Sequence, residues 1–169
     1  MNCVTQQVTG DDPIYTTGTT NVDNSNSSYV PFAGSFTNNG INHPTDSTLF
    51  NIDTAGEYTI VVQLRVTAGG VDDRGMYWAV VRRYKTRPDD NTQGTFFRDY
   101  FLGTSYYRGL SSSDDVVLGG NVRVHFEAAD EQFEIVVRKA YQQDTDSGEN
   151  ALDNSVSFIT IERHSYEVS

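Results

Sequence analysis

The sequence predicts an all-β chain folded as an antiparallel sandwich of jelly-roll type, and three observations predict it. Segments rich in β-branched and aromatic residues alternate apolar and polar side chains at a period of two. Turn-forming residues punctuate these segments at intervals of about 8–12 residues. Almost nothing carries the spacing of an amphipathic helix, and no segment recurs at a fixed period, which argues against a propeller or a solenoid.

The elements follow in chain order. Residues 1–28 are rich in Thr, Asn, Ser, Asp and Gly, and between 9 and 28 only Ile14, Tyr15 and Val22 are sizeable apolar groups. Such a segment cannot bury enough surface to offset its own ordering entropy. It reads as an N-terminal arm (1–28) ahead of a domain (29–169), with a disordered tail as the bland alternative and ordering on a partner surface as a third. Tyr29, Val30, Phe32 and Phe36 around Pro31 and Gly34 form an edge-strand pattern, because proline cannot donate to a ladder. After the turns Asn38-Asn39-Gly40 and Asn42-His43-Pro44, a short strand is expected at Thr48–Ile52, closed by Asp53-Thr54-Ala55-Gly56. Tyr58, Ile60, Val62, Leu64 and Val66 then share one face of a strand whose other face, Thr59, Val61, Gln63 and Arg65, is mixed.

Further strands are expected at Met76–Tyr84 and at Thr95–Leu102, the latter closed by Gly103. Asp115–Leu118 leads through Gly119-Gly120 to Asn121–Phe126, where Val122, Val124 and Phe126 oppose Arg123 and His125. The segment Glu131–Tyr141 fits both periods. Its run Ile135-Val136-Val137 favours a strand, since β-branched residues lose rotamer freedom in a helix. The last strand is expected at Val156–Arg163.

Composition limits the functions. The chain of 169 residues is long enough for one core, and its 12 basic against 23 acidic residues give a net charge of -11. That field repels phosphates, so nucleic acid is not an expected partner. No apolar run approaches the roughly 18–20 residues of a membrane helix, so no membrane is expected either. The N-terminus lacks the pattern of a secretory leader, and the one cysteine, Cys3, cannot form an internal disulfide. The expectation is maturation in a reducing compartment, or export by another route.

Three segments, in order, resemble one family. Thr48-Leu49-Phe50-Asn51-Ile52-Asp53-Thr54-Ala55-Gly56-Glu57-Tyr58-Thr59-Ile60 is similar to the F-x-x-x-x-x-G-x-Y hallmark of C1q and tumour-necrosis-factor-like jelly rolls. Gly119–Glu131 resembles their penultimate hairpin, although Ala129 stands where glycine is usual, and Ser157–Ile161 resembles the closing strand. The resemblance spans roughly residues 45–165 and implies a jelly roll that assembles as a homotrimer, without fixing a function. No collagen-like stem precedes the domain.

Trimeric jelly rolls also occur on phage and viral particles. The expected function is therefore a virion structural protein: a capsid decoration or cement protein of a bacteriophage, assembled in host cytoplasm and located on the capsid surface. Its partners would be two sister copies and the major capsid protein or other virion proteins. The arm's apolar residues Val4, Val8, Ile14 and Tyr15 would supply the attachment. Phe96, Phe97, Tyr100, Phe101, Tyr106 and Tyr107 crowd twelve positions, and alternation sends half of such rings away from a single core. Trp78, Phe97, Tyr100, Phe101, Tyr106 and Tyr107 are thus expected at the trimer interface together with Arg82 and Arg98, and Arg82, Arg83, Arg98 and Arg108 near these rings are expected to pair with acidic groups across subunits. A core strand and its partner is the bland reading of the same rings.

Chemistry is not expected. His43, His125 and His164 sit at no metal-ligand spacing, and no nucleophile elbow or phosphate loop occurs. Acidic pairs such as Asp11-Asp12, Asp72-Asp73, Asp89-Asp90 and Asp114-Asp115 fall in turn-rich segments and read as solvated loops. Asp144–Glu149 only partly matches a calcium loop. No cofactor, metal or catalytic residue is assigned. The alternative function is a fibre or tail-tip adhesin recognising a host-surface glycan or protein through the loops Asn38–Asp46, Pro88–Gly94 and Asp144–Asn154. A polysaccharide depolymerase, and a cellular C1q-like or secreted protein, remain behind it.

Overall fold

The computed structural model describes residues 2–9, 12–18, 21–22, 29–67, 74–84, 97–108, 115–127, 129–139 and 150–167. All regular structure among them is strand: β1 (Asn2–Gln7), β2 (Ile14–Tyr15), β3 (Asn21–Val22), β4 (Phe36–Asn38), β5 (Ile41–His43), β6 (Phe50–Ile52), β7 (Gly56–Val66), β8 (Arg74–Tyr84), β9 (Phe97–Arg108), β10 (Val116–Phe126), β11 (Gln132–Lys139), β12 (Asn150–Ala151) and β13 (Phe158–Glu167). Every pairing is antiparallel.

Two sheets face each other. The first runs β1-β13-β7-β10, with β2 also paired to β13; the second runs β4-β5-β6-β11-β8-β9, and β3 and β12 form a separate short pair. Alternation builds the interior. Tyr58, Ile60, Val62, Leu64 and Val66 of β7 and Val116, Leu118, Val122, Val124 and Phe126 of β10 face Phe50, Met76, Trp78, Val80, Phe133, Ile135 and Val137, all buried. Aromatic rings knit the two layers. Phe50 and Phe133 stack at 4.6 Å, Phe133 meets Phe126 at 5.7 Å, and Phe126 meets Tyr58 edge-on at 5.6 Å. At the end of this cluster the Tyr58 hydroxyl donates to Thr54 O at 2.7 Å. Gly40 takes φ 91° beside it, where a Cβ would come within 2.6 Å of that hydroxyl.

The expected strands at 48–52, 58–66, 76–84 and 156–163 are present, and the ambiguous segment at 131–141 is strand β11. Four expectations change. Gly119-Gly120 does not interrupt β10, because Gly119 pairs with Gln63 and Gly120 with Val62, so the β7 ladder carries the strand through. Gly103 does not close β9 but lies inside it. The register slips between Tyr77 and Ala79, placing Trp78 opposite the extra residue, and a Cβ on Gly103 would overlap the Trp78 ring. Tyr29 and Phe32 form isolated bridges to Val136, Ser47 and Thr16 rather than a regular edge strand. Finally, within the expected arm or extended lead-in, β1 and β2 join the first sheet instead of standing off from it, while β3 pairs only with β12. β1 pairs with β13 from Asn2↔Glu167 to Gln7↔Glu162, Val8 is buried, and Ile14 packs on the core. Pairing to a ready-made strand satisfies backbone groups that a polar segment alone could not, and so offsets its ordering entropy.

Candidate interaction face

The outward face of the first sheet is built by the residues that alternate with its core positions. Cross-strand registers arrange them in rows. One row is Tyr15, Phe158, Gln63 and Gly119, from β2 through β13 and β7 to β10. Thr160, Val61 and Asn121 lie in a neighbouring row, and Val117 pairs with Arg65 beyond the first. Tyr15 is 44% exposed and leans edge-on against Phe158 at 6.1 Å, while Val117 is 59% exposed.

This band carries no charge, and charged pairs border it on both sides. Toward one end Arg65 donates to Asp115 Oδ2 at 2.5 Å and lies 3.5 Å from Asp153. Toward the other, Gln7 donates to Glu162 Oε1 at 3.0 Å and Arg123 pairs with Glu57. There His164 sits between two hydroxyls, Thr5 Oγ1 at 3.2 Å and Thr59 Oγ1 at 2.7 Å. The Asp115 bond holds the Arg65 guanidinium above its ordinary value, and two hydrogen bonds from Ser155 draw Asp153 below the usual carboxylate range. An uncharged centre with a polar rim is the composition of a protein contact.

Gly119 forms a dip at one lateral margin of the face. A Cβ there would meet nothing nearer than the Val62 carbonyl at 3.7 Å, so the chain's own packing does not require glycine. The Tyr15–Phe158 pair stands at the opposite margin in the same row, hence at the same height along the strands.

The residues expected at an interface divide differently. Trp78 is fully enclosed in the chain's own core, fitted against Gly103, and has no surface left for a partner. Phe101 is half-buried and packs on the same core. Arg82 is used within the chain: it donates to Asp99 Oδ2 at 3.0 Å and to His125 O at 2.8 Å, tying β8 and β9 to β10. Phe97, Arg98, Tyr100, Tyr106 and Tyr107 occupy β9, opposite Tyr84, Arg83, Val81, Met76 and Gly75, and their side chains lie outside the described ones. Of the expected attachment residues, Val8 is buried and Ile14 packs on the core, whereas Val4 is half-buried and Tyr15 exposed. Phe158, Gly119 and Val117 were not singled out from sequence. The signal was the mixed face Thr59, Val61, Gln63, Arg65, which shows that the strand's second face is neither plainly wet nor plainly buried.

Among the described residues no group of three or more His, Cys, Asp and Glu is placed to hold a metal ion, and no helix is long and apolar enough to cross a membrane. His43 has both ring nitrogens against carbonyls, Leu49 O at 3.0 Å and Phe32 O at 3.1 Å. The acidic pairs at 72–73, 89–90 and 144–149, and the loop 88–94, lie outside the described residues; Asp115 is the ion-pair partner of Arg65.

The two facing antiparallel sheets define a jelly-roll sandwich. A crystal structure of murine APRIL aligns with a TM-score of 0.57 at 11% identity, covering 95% of this chain and 99% of that one. A second crystal structure of murine APRIL aligns at 0.53 and 12% identity, over 95% and 99%. Eiger TNF from S. frugiperda, at 0.41 and 14% identity over 94% and 97%, adds nothing to this assignment. At such identities the likeness is one of fold. No protein-family model and no curated protein matches the sequence.

Proposed function

We propose that this protein is a self-associating structural jelly roll that works as a homotrimer on the surface of a virus particle, as a capsid decoration protein of a bacteriophage. The observation that carries the assembly is the uncharged face of the first sheet, with a protruding Tyr15–Phe158 pair at one margin and the Gly119 dip at the other, in one row. A knob and a hole at equal height let each copy seat its knob in the next copy's hole by pure rotation, and such head-to-tail contacts close into a ring. A permanent contact of this kind buries about 2,000 Å² or more. The net charge of -11 suits a protein displayed in many copies, since it keeps particles apart in solution.

Attachment to a shell falls to exposed surface outside this seam, because Val8 and Ile14 are taken up by the core and Tyr15 by the seam itself, which leaves the half-buried Val4 of the expected attachment residues. Light scattering of the full chain at micromolar concentration is expected to give three times the chain mass. Gly119→Arg is expected to give monomers of unchanged melting temperature, because the substitution fills the hole without touching the core. A monomeric wild-type chain removes the assembly; a trimer that stays off capsid shells in co-sedimentation leaves the assembly and removes the virion role.

A further inference from the structure

The β4–β5 hairpin at the margin of the second sheet carries an open cleft of about 560 Å³, lined by Ser35, Phe36, Thr37, Asn42, His43, Pro44 and Thr45. Three features of its lining select a ligand class. First, none of these residues bears a carboxylate, ammonium or guanidinium, so the cleft offers no counter-ion to an anion, a cation or a metal. Asp46 is adjacent, but its Oδ1 accepts from Gly34 N at 3.1 Å, and both His43 nitrogens face carbonyls within the chain, so neither is presented to a ligand.

Second, the polar groups are short neutral ones. The Ser35, Thr37 and Thr45 hydroxyls and the Asn42 carboxamide both donate and accept, and their side chains have no hydrogen-bond partner among the described residues. Ser35, Thr37 and Thr45 are exposed.

Third, there is a fixed aromatic platform. The half-buried Phe36 ring rests on His43 at 5.6 Å and on Phe50 at 6.3 Å. His43 in turn stacks on Phe50 at 4.4 Å with 19° between the planes, and Phe50 on Phe133. The platform is therefore the outermost layer of the core's ring stack, preorganised before any ligand arrives.

An aromatic face attracts weakly positive C–H groups, and neutral donor–acceptor groups around it suit hydroxyls. A pyranose presents both, with a C–H face and an equatorial rim of hydroxyls. We propose that this cleft is a binding site for an uncharged saccharide, with Phe36 as the stacking platform and the Ser35 and Thr45 hydroxyls, just beyond the end of the ladder pair Phe36↔His43, as the polar contacts. Acidic sugars are selected against, since the lining holds no Lys or Arg and the chain's field is negative. The proposal concerns one chain and does not depend on the assembly.

The test uses the full chain, ¹⁵N-labelled, titrated with methyl glycosides of glucose, galactose and N-acetylglucosamine, and with N-acetylneuraminic acid as the acidic comparison. An open cleft with few contacts is expected to bind on the order of 1 mM. At least one neutral glycoside should shift the amides of 35–37 and 42–45, and the acidic sugar should not. Phe36→Ala should weaken binding by at least about tenfold, whereas Phe36→Tyr should keep it. Thr45→Trp, at an exposed position that leaves the core untouched, should abolish the shifts even if Phe36→Ala fails to fold. The proposal is overturned if no neutral glycoside shifts these amides, if the acidic sugar binds equally well, or if Thr45→Trp binds like the wild type.

Discussion

The two sheets bury themselves differently. The first has one dry face and one wet face. β10 alternates buried Val116, Leu118, Val122, Val124 and Phe126 with exposed Val117, Asn121, Arg123 and His125. The second is dry on both faces at its centre. β8 and β11 send Met76, Trp78, Val80, Phe133, Ile135 and Val137 to the shared interior. On the far face Ala79, Val81 and Val136 form a second fully buried cluster with Tyr29 and Tyr77 packed on it. The far face also holds an ion pair, Arg83 with Glu134 at 3.4 Å, where Glu134 accepts from Thr48 Oγ1 at 2.9 Å. A sheet covered on both sides reads as a continuous apolar run, while a half-covered sheet reads as alternation.

The same substitution on the two far faces should have very different effects. Val136→Asp would bury a carboxylate with no cation assigned to it, and should destabilise by roughly 3–5 kcal/mol or prevent folding. Val117→Asp on the other sheet, introduced into the monomeric Gly119→Arg chain so that assembly plays no part, should stay within about 0.5 kcal/mol in urea melts. Equal effects at the two positions would mean that the far face of β11 is not a second core.

This contrast also explains what was legible in the sequence. β7 was legible because its wet face breaks the apolar pattern at every second residue. β11 was ambiguous because Ile135, Val136 and Val137 are all buried, so period carries no information there. The expected trimer interface inherited the same blind spot. The rings of β8 and β9 exceed what one face of a sandwich holds, and a surplus looks identical in sequence whether a sister copy or a second intrachain cluster absorbs it. Trp78 went to the interior because Gly103, opposite it on the neighbouring strand but distant in sequence, makes room for it. The N-terminal strand was hidden for a related reason: its stability comes from β13, at the far end of the chain.

The ion pairs give a second, smaller contrast. Arg83 and Glu134 side chains are 19% and 7% exposed, and Arg65 and Asp115 are 41% and 33% exposed. Glu134→Ala should cost about 1–3 kcal/mol, because it removes a largely buried carboxylate from Arg83 and leaves the Thr48 hydroxyl without its acceptor. Asp115→Ala, at a solvent-exposed pair, should move the urea midpoint far less than Glu134→Ala, and less still in high salt. Next comes the fit of the two strands at the register slip. Gly103→Ala should destabilise by about 1–3 kcal/mol through overlap with the Trp78 ring, and adding Trp78→Leu should recover part of the loss. An additive double mutant would show that the glycine serves something other than the ring.

The smallest effects are in pH dependence, where two acids on opposite kinds of surface have opposite signs. Glu131, in the turn joining β10 to β11, is buried, and burial raises its pKa above the usual carboxylate range despite the attraction of Arg82 and the hydrogen bond from the Glu127 amide. A carboxyl whose folded pKa is raised stabilises the fold when protonated, and that contribution is lost as pH rises through the folded value. Glu131→Gln keeps a neutral acceptor for the Glu127 amide at every pH. The variant is therefore expected to melt above the wild type at neutral pH, with the gap closing on acidification. Asp153 in the loop before β13 is lowered instead, by its bonds from Ser155, so its contribution is present at neutral pH and lost as pH falls through its folded value. Asp153→Asn should melt below the wild type at neutral pH, with that gap also closing in acid. Urea midpoints measured across the acid limb separate the two: the variants should approach the wild type from opposite sides, and approach from the same side would contradict the assignment of burial to Glu131.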